Sequence, residues 1–199
     1  MVIMEPYKKT ELLKALFQAV GAKAAGWNGI VYRAVGTEYA NNRDLLSGEG
    51  TKRFGGRWTP PDSFATAHAS LDVKTAVAES LGTQQQYGIA VDARLPLTLV
   101  AIDVSVQKLL DLTDDSILRE LDLTRQRLLR CRWRENMDKG REALTQAVGR
   151  IAFEAGLEAL FVPSAQSRKG KNLVVFPDNL QKASSLTIQN VGKLLPADD

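Results

Sequence analysis

A chain of 199 residues, 44% hydrophobic and 25% charged, can bury one sizeable core but not two full domains, and this composition excludes a disordered or fibrous protein. Twenty-six Lys and Arg against 23 Asp and Glu leave a net charge of +3 and a pI near 9.0, which suits an anionic ligand or partner without requiring nucleic acid. One cysteine, Cys131, and one histidine, His68, rule out an intramolecular disulfide and a Cys/His zinc cluster.

The N-terminal MVIMEPYKKT holds an acid, Glu5, and no apolar run of signal-peptide length. The longest apolar stretch, GIAVDARLPLTLVAIDV, is interrupted by Asp92, Arg94 and Asp103 and falls short of the ~18 residues that cross a membrane, so a cytoplasmic protein is expected. Thr10 is placed to cap a helix whose Leu12, Leu13, Leu16, Phe17 and Val20 share one face and which Gly21 stops. IVYRAV at 30–35 reads as a strand. The next ~30 residues, rich in Gly, Asn, Arg and Pro, read as a loop, and a loop of that length is functional or disordered. FATAHA at 64–69 reads as a short strand; Asp72 then caps a helix through Leu81, with Val73, Ala76, Val77 and Ser80 inward and Glu79 at the border of the buried face.

GIAVDA (88–93) and LTLVAIDV (97–104) read as two strands parted at Leu95-Pro96, and DDSILRELDL opens a helical region that continues, with breaks, to Glu154. Ala147, Val148, Ile151, Ala152 and Ala155 form an apolar stripe there, stopped by Gly156. EALFVPSA, NLVVF and LTIQN supply the last strands, and PADD reads as a tail. No repeat or low-complexity tract is present. Strands and helices follow one another without regular alternation, which points to an α+β fold in a single domain rather than a doubly wound sheet.

Within the long loop, GTKRFGGRW at 50–58 combines paired glycines, cations and a tryptophan. Glycine lets a ligand approach the backbone and arginine presents a planar fork of donors to phosphate or carboxylate oxygens, so the stretch suggests an anion site. It is not a P-loop: Gly50 and Gly55 have the spacing, but Gly56 and Arg57 stand where Lys and Ser/Thr are needed. A dinucleotide fingerprint fails as well, because Arg53 occupies the place of the third glycine after Gly48 and Gly50.

Arg33 after Tyr32 on a strand, the Gly55-Gly56-Arg57-Trp58 loop, a helical Glu79, and Pro163-Ser164-Ala165 after an apolar strand occur in one order. In that order they resemble the RES-domain family, the toxin half of bacterial RES/Xre toxin–antitoxin pairs. The resemblance spans about Gly29 to Pro177 and includes Trp133, Thr145-Gln146, Gly149 and Asn172-Leu173. It divides the chain into an N-terminal helical extension (1–28), the RES domain (29–180) and a C-terminal strand with a short tail (181–199).

The resemblance implies an ADP-ribosyltransferase-like mixed or antiparallel sheet with surrounding helices. It implies an enzyme that degrades NAD+ as substrate, needs no cofactor or metal, and uses phosphate or water as acceptor. By the same likeness Glu79 is the catalytic carboxylate, Arg57 and Arg33 hold the pyrophosphate, and Ser164 lines the pocket as part of the catalytic set. Tyr32, Gly56, Trp58, His68 and Asn172 bind substrate. The implied partner is an Xre-like helix-turn-helix antitoxin that covers the pocket, with DNA reached only through it; a homo-oligomer stays open. Two departures border the pocket. His68 stands where the family has tyrosine, eleven positions before Glu79, and Thr59-Pro60-Pro61-Asp62 replaces Asn-Pro-Pro-Gly.

The chemistry fits these residue types. Breaking the nicotinamide–ribose bond builds an oxocarbenium-like sugar that one carboxylate stabilises, and the pyrophosphate needs donors that cannot lose their charge. Taken singly, the same side chains fit plainer roles: a surface ion pair for Arg33, core packing for Trp58, a solvated helix face for Glu79, a turn for Ser164, a structural hydrogen bond for His68. The run 123–141 places Arg127, Arg130 and Arg134 on one helical side, a solvated face or an anion surface. Two other functions stay open, ADP-ribosyl transfer onto a macromolecule and a catalytically silent module that binds nucleic acid or a partner.

Overall fold

The computed structural model describes residues 4–85 and 96–189; the stretches GIAVDA and PADD lie outside the described residues. Six strands are found among them: β1 (Ala25–Gly36), β2 (Ala67–Ser70), β3 (Leu97–Asp111), β4 (Ala159–Pro163), β5 (Lys171–Val175) and β6 (Ser185–Ile188). β1 begins earlier than IVYRAV alone suggests, because Trp27 and Asn28 already lie in ladder with Val106 and Ser105 of β3. β1 and β3 run antiparallel as far as Gly36 opposite Leu97. β1 meets β2 at Tyr32 opposite Ser70, β2 pairs with β5, β5 with β4, and β4 returns to β3 as the one parallel pair among the described strands. The five strands therefore close into a ring, and β6 adds to β3 on the edge away from β1.

Period-two alternation sorts the core into two. Val31, Val100, Ile102, Val104, Val106, Phe161, Leu173 and Val175 pack together on one face of the sheet. Leu160, Val162 and Val174 turn to the other face, where the helices cover them. These helices are α1 (Thr10–Val20), α5 (Asp115–Glu120), α6 (Arg125–Leu129) and α8 (Leu144–Glu154), and they contribute Leu13, Phe17, Ile117, Leu118, Leu128, Val148 and Ile151 to that cluster. The remaining helices are α2 (Asn42–Leu46), α3 (Glu49–Phe54), α4 (Val73–Gln85) and α7 (Trp133–Asp138).

Several local expectations are corrected. Thr10 does not cap α1; its hydroxyl donates to the Tyr7 carbonyl, and Lys9 holds the cap position without a side-chain bond. Leu12 is 49% exposed and Val73 41% exposed, so neither joins the face assigned to it. The long loop contains α2 and α3. The Asn41 side chain accepts from Asp44 N to start α2, and α3 takes up GTKRF, ending at Gly55 with φ 73°, a value that β-carbon-bearing residues rarely adopt. Asp72 does cap α4: its Oδ1 accepts from Thr75 N at 2.8 Å and its Oδ2 from Thr75 Oγ1 at 2.7 Å.

Candidate active site

Glu79 lies on α4, facing the segment that leaves β4. Its Oε1 accepts from Ser164 Oγ at 2.6 Å, from the Ala165 amide at 3.0 Å and from Asn172 Nδ2 at 2.8 Å. Among the described residues, all hydrogen bonds to this carboxylate end on Oε1, which leaves Oε2 for another partner. Ser164, 3% exposed, is itself held: its Oγ accepts from the Gln166 and Ser167 amides at 3.1 and 2.9 Å, so the turn after β4 wraps around the hydroxyl. α4 approaches this turn closely, for a β-carbon on Gly82 would meet Gln166 at 2.2 Å. Ser70, the last residue of β2, donates to Asn172 Oδ1 at 2.8 Å, and Tyr32 sits directly across from Ser70 in the β1–β2 pairing.

The GGRW loop is fastened to α8. Gly56 and Thr59 bridge one another, the Gly56 amide bonding the Thr59 carbonyl at 2.8 Å. Fully buried Gln146 donates its Nε2 to the carbonyls of Gly56 at 3.1 Å and Thr59 at 3.4 Å, while its Oε1 accepts from the Ala143 amide at the start of α8. Gly149, one turn on, admits the Trp58 backbone so closely that a β-carbon there would lie 1.8 Å from the Trp58 carbonyl oxygen. Arg57 is thereby directed inward, with NH1 on the Leu128 carbonyl at 3.2 Å. Burial pulls its pKa below the ordinary arginine value; Cys131 and Glu79 work against that shift and Arg134 adds to it. Arg57 and Glu79 thus feel one another, and the guanidinium remains charged throughout the working range.

A second group forms around His68. Its Nε2 lies 3.0 Å from Thr66 Oγ1, which also contacts Thr59 Oγ1 at 2.6 Å and Thr51 Oγ1 at 3.0 Å. The single Thr51 proton is claimed by the carbonyls of Gly48 and Thr66 at 2.7 and 2.8 Å, so Thr66 donates to Thr51 and accepts from His68, which then carries its proton on Nε2. Burial first, and the Arg33 cation second, push the His68 pKa down to about 4, and the ring is neutral at pH 7. Arg33 itself donates NH1 to the Leu45 carbonyl at 2.6 Å beside Asp44, and burial lowers its pKa.

The family comparison can be set beside this geometry. The RES domain matches residues 30–197. The chain belongs to the RES domain family. A similar curated protein is the NAD(+) phosphorylase MbcT of Mycobacterium tuberculosis, 28% identical over 155 residues and 76% of each chain; the Mycobacterium bovis protein of that name matches equally. The crystal structure of the M. tuberculosis MbcT–MbcA toxin–antitoxin complex is similar at a TM-score of 0.70 and 25% identity over 90% of both chains. The mixed α+β single-domain fold agrees with that likeness.

Of the residues singled out in sequence, this RES domain gathers Glu79, Ser164 and Asn172 by direct bonds, Arg57 by charge, and Tyr32 through its register with Ser70. Gly56 shapes the loop through its carbonyl and amide. Arg33 follows Tyr32 and turns to the other side of β1, where it bonds the Leu45 carbonyl; its charge is felt by His68, and among the described residues it has no bond to the Glu79 group. Trp58 is 3% exposed and packed in the helix-side core. Ser70 escaped the sequence reading, and Gln146 entered it only as part of the resemblance, with no role assigned. Strand alternation from His68 would have placed Ser70 on the same face, whereas nothing in the spacing of Gln146 marks it as the tie between loop and helix.

Proposed function

We propose that the protein is a toxin that consumes NAD+ by breaking the bond between nicotinamide and ribose. The observation that carries the proposal is the carboxylate of Glu79, fixed on one oxygen by Ser164, Ala165 and Asn172 with the Arg57 cation in electrostatic reach. In this reading the glycosidic C–N pair of electrons leaves with nicotinamide, which departs neutral, and positive charge grows on the ribose. Oε2 of Glu79 faces that charge and a ribose hydroxyl. A carboxylate already held in place costs no reorganisation as the charge develops, and removing such a partner typically slows reaction by on the order of 10²- to 10³-fold. Arg57 binds the pyrophosphate with a fork of donors. A phosphate oxygen then closes on the ribose carbon from the opposite side, leaving the nicotinamide-free ADP-ribosyl group as a phosphate ester.

Phosphate is named as acceptor because the MbcT relative is called a phosphorylase. The solved MbcT–MbcA complex supports control by an antitoxin, which here would be an Xre-like helix-turn-helix protein covering the site. Growth arrest follows from loss of the cofactor pool. The purified protein should release nicotinamide from NAD+ with turnover that rises with phosphate concentration, giving a phosphorylated ADP-ribose. Turnover indifferent to phosphate would assign water as acceptor, labelled ADP-ribose on a macromolecule would assign transfer, and no loss of NAD+ would remove the enzyme reading.

A further inference from the structure

Ser70 has a buried hydroxyl, 3% exposed as a residue, and among the described residues its single side-chain partner is Asn172 Oδ1 at 2.8 Å. Asn172 in turn places Nδ2 at 2.8 Å from Glu79 Oε1. We propose that Ser70 is a positioning residue of the reaction, acting through Asn172 to hold the Glu79 carboxylate; this rests on the reading of Glu79 above.

The reasoning is a count of protons. An asparagine amide has a donor end and an acceptor end of nearly the same shape, so its position alone does not set which end faces a neighbour. Here both neighbours decide. Were the amide turned over, its oxygen would stand against a carboxylate oxygen, acceptor on acceptor, and the Ser70 proton, on a residue 3% exposed, would lose its acceptor. Each is costly in a buried setting, and together they fix the amide. Ser70 therefore supplies the second half of a lock whose first half is the carboxylate itself. Without the hydroxyl, the partly buried Asn172 Oδ1 loses that partner, and the amide is free to rotate away from Glu79.

The carboxylate still keeps Ser164 and Ala165 in that event, so the fold of the site survives and what changes is the freedom of one oxygen. Such a loss acts on the step in which charge develops rather than on the grip of the pyrophosphate, which lies with Arg57. Ser70 was not singled out by any motif, because a serine at the end of a strand is an ordinary residue; its meaning comes from β2 lying beside β5 in the register that sets Ser70 against Asn172.

Two measurements test the proposal. In the NAD+ assay, Ser70→Ala should lower kcat by about tenfold, the scale of one lost hydrogen bond, with KM unchanged; Ser70→Thr, which keeps the hydroxyl, should recover most of it. The double variant Ser70→Ala/Asn172→Ala should be no slower than Asn172→Ala alone, since Ser70 acts only through that amide. Additive losses, or a rise in KM with kcat intact, would overturn it. Independently of activity, the side-chain NH2 resonances of Asn172, assigned by their disappearance in Asn172→Ala, should exchange with solvent slowly in the native protein and much faster in Ser70→Ala. Equal exchange in both proteins would overturn the positioning role. Native protein that leaves NAD+ intact while the NMR contrast holds would fault the assigned reaction and not the lock.

Discussion

Gly149 is the position where a single methyl group should separate fold from function. In α8 its absent side chain faces the GGRW loop, and a β-carbon would lie 1.8 Å from the Trp58 carbonyl oxygen, 2.8 Å from its carbonyl carbon and 3.2 Å from its Cα. These are backbone atoms, so no rotamer change relieves the contact. Loop and helix must part by about 1.5 Å to reach ordinary separation. Val148 and Ala152 on either side are fully buried and hold the helix against the core, so the loop is the part that gives way. That movement strains the Gln146 bonds to Gly56 and Thr59, and it carries Arg57 with it. Overpacking of this kind costs about 1–3 kcal/mol, which for a chain of this length lowers the unfolding temperature by roughly 3–10 °C. A displacement of about 1 Å at a positioning group costs on the order of 10²-fold in rate. Gly149→Ala should therefore remain folded at 25 °C by circular dichroism, melt somewhat early, and lose about a hundredfold in nicotinamide release. A variant with native melting and native turnover would show that the loop is not seated on α8 as described.

His68 should make stability depend on pH. Its folded pKa is about 4 against an ordinary 6.5, so the unfolded chain binds a proton in that window and the folded chain does not; stability is full above pH 6.5 and is lost as pH falls toward 4. The loss amounts to at most about 3 kcal/mol, and urea unfolding at pH 7.5 and 4.5 should show it in the native protein but not in His68→Gln, whose carboxylates titrate as before. The same pH dependence in both would mean that the ring is not kept neutral. A third prediction concerns the N-terminal segment, which Glu142 ties down by accepting from the Tyr7 amide at 3.0 Å and from Arg150 Nε at 2.6 Å. Arg150→Ala leaves that buried carboxylate unpaired and should cost about 3–5 kcal/mol in chemical denaturation; a change under about 1 kcal/mol would show that Glu142 relaxes into water.

What could be read from sequence and what could not divides along physical lines. α8 was legible because its apolar stripe repeats at helical spacing, and the strands at 159–163 and 171–175 because they are short apolar runs bounded by turn residues. The Glu79–Ser164 pair was legible only through the order of motifs, since no local pattern links residues 85 positions apart. α3 was missed because Gly50 and Thr51 are weak helix formers, and its capping glycine at 55 looked like part of a ligand loop. Closure of the sheet was invisible, for it depends on a single β1–β2 pairing at Tyr32 and Ser70. The bond from Arg33 to the Leu45 carbonyl could not be foreseen while residues 42–46 were read as loop.

The carboxylate of Glu79 is the centre of this description, and its geometry provides a clean substitution. Because Ser164, Ala165 and Asn172 all donate to Oε1, glutamine at this position keeps an acceptor for every one of them and exchanges only Oε2 for an amide nitrogen. Single-turnover nicotinamide release by Glu79→Gln at saturating NAD+ should fall by on the order of 10²- to 10³-fold, with the melting temperature near native. Release at the native rate from that folded variant would contradict the role of the carboxylate in breaking the bond.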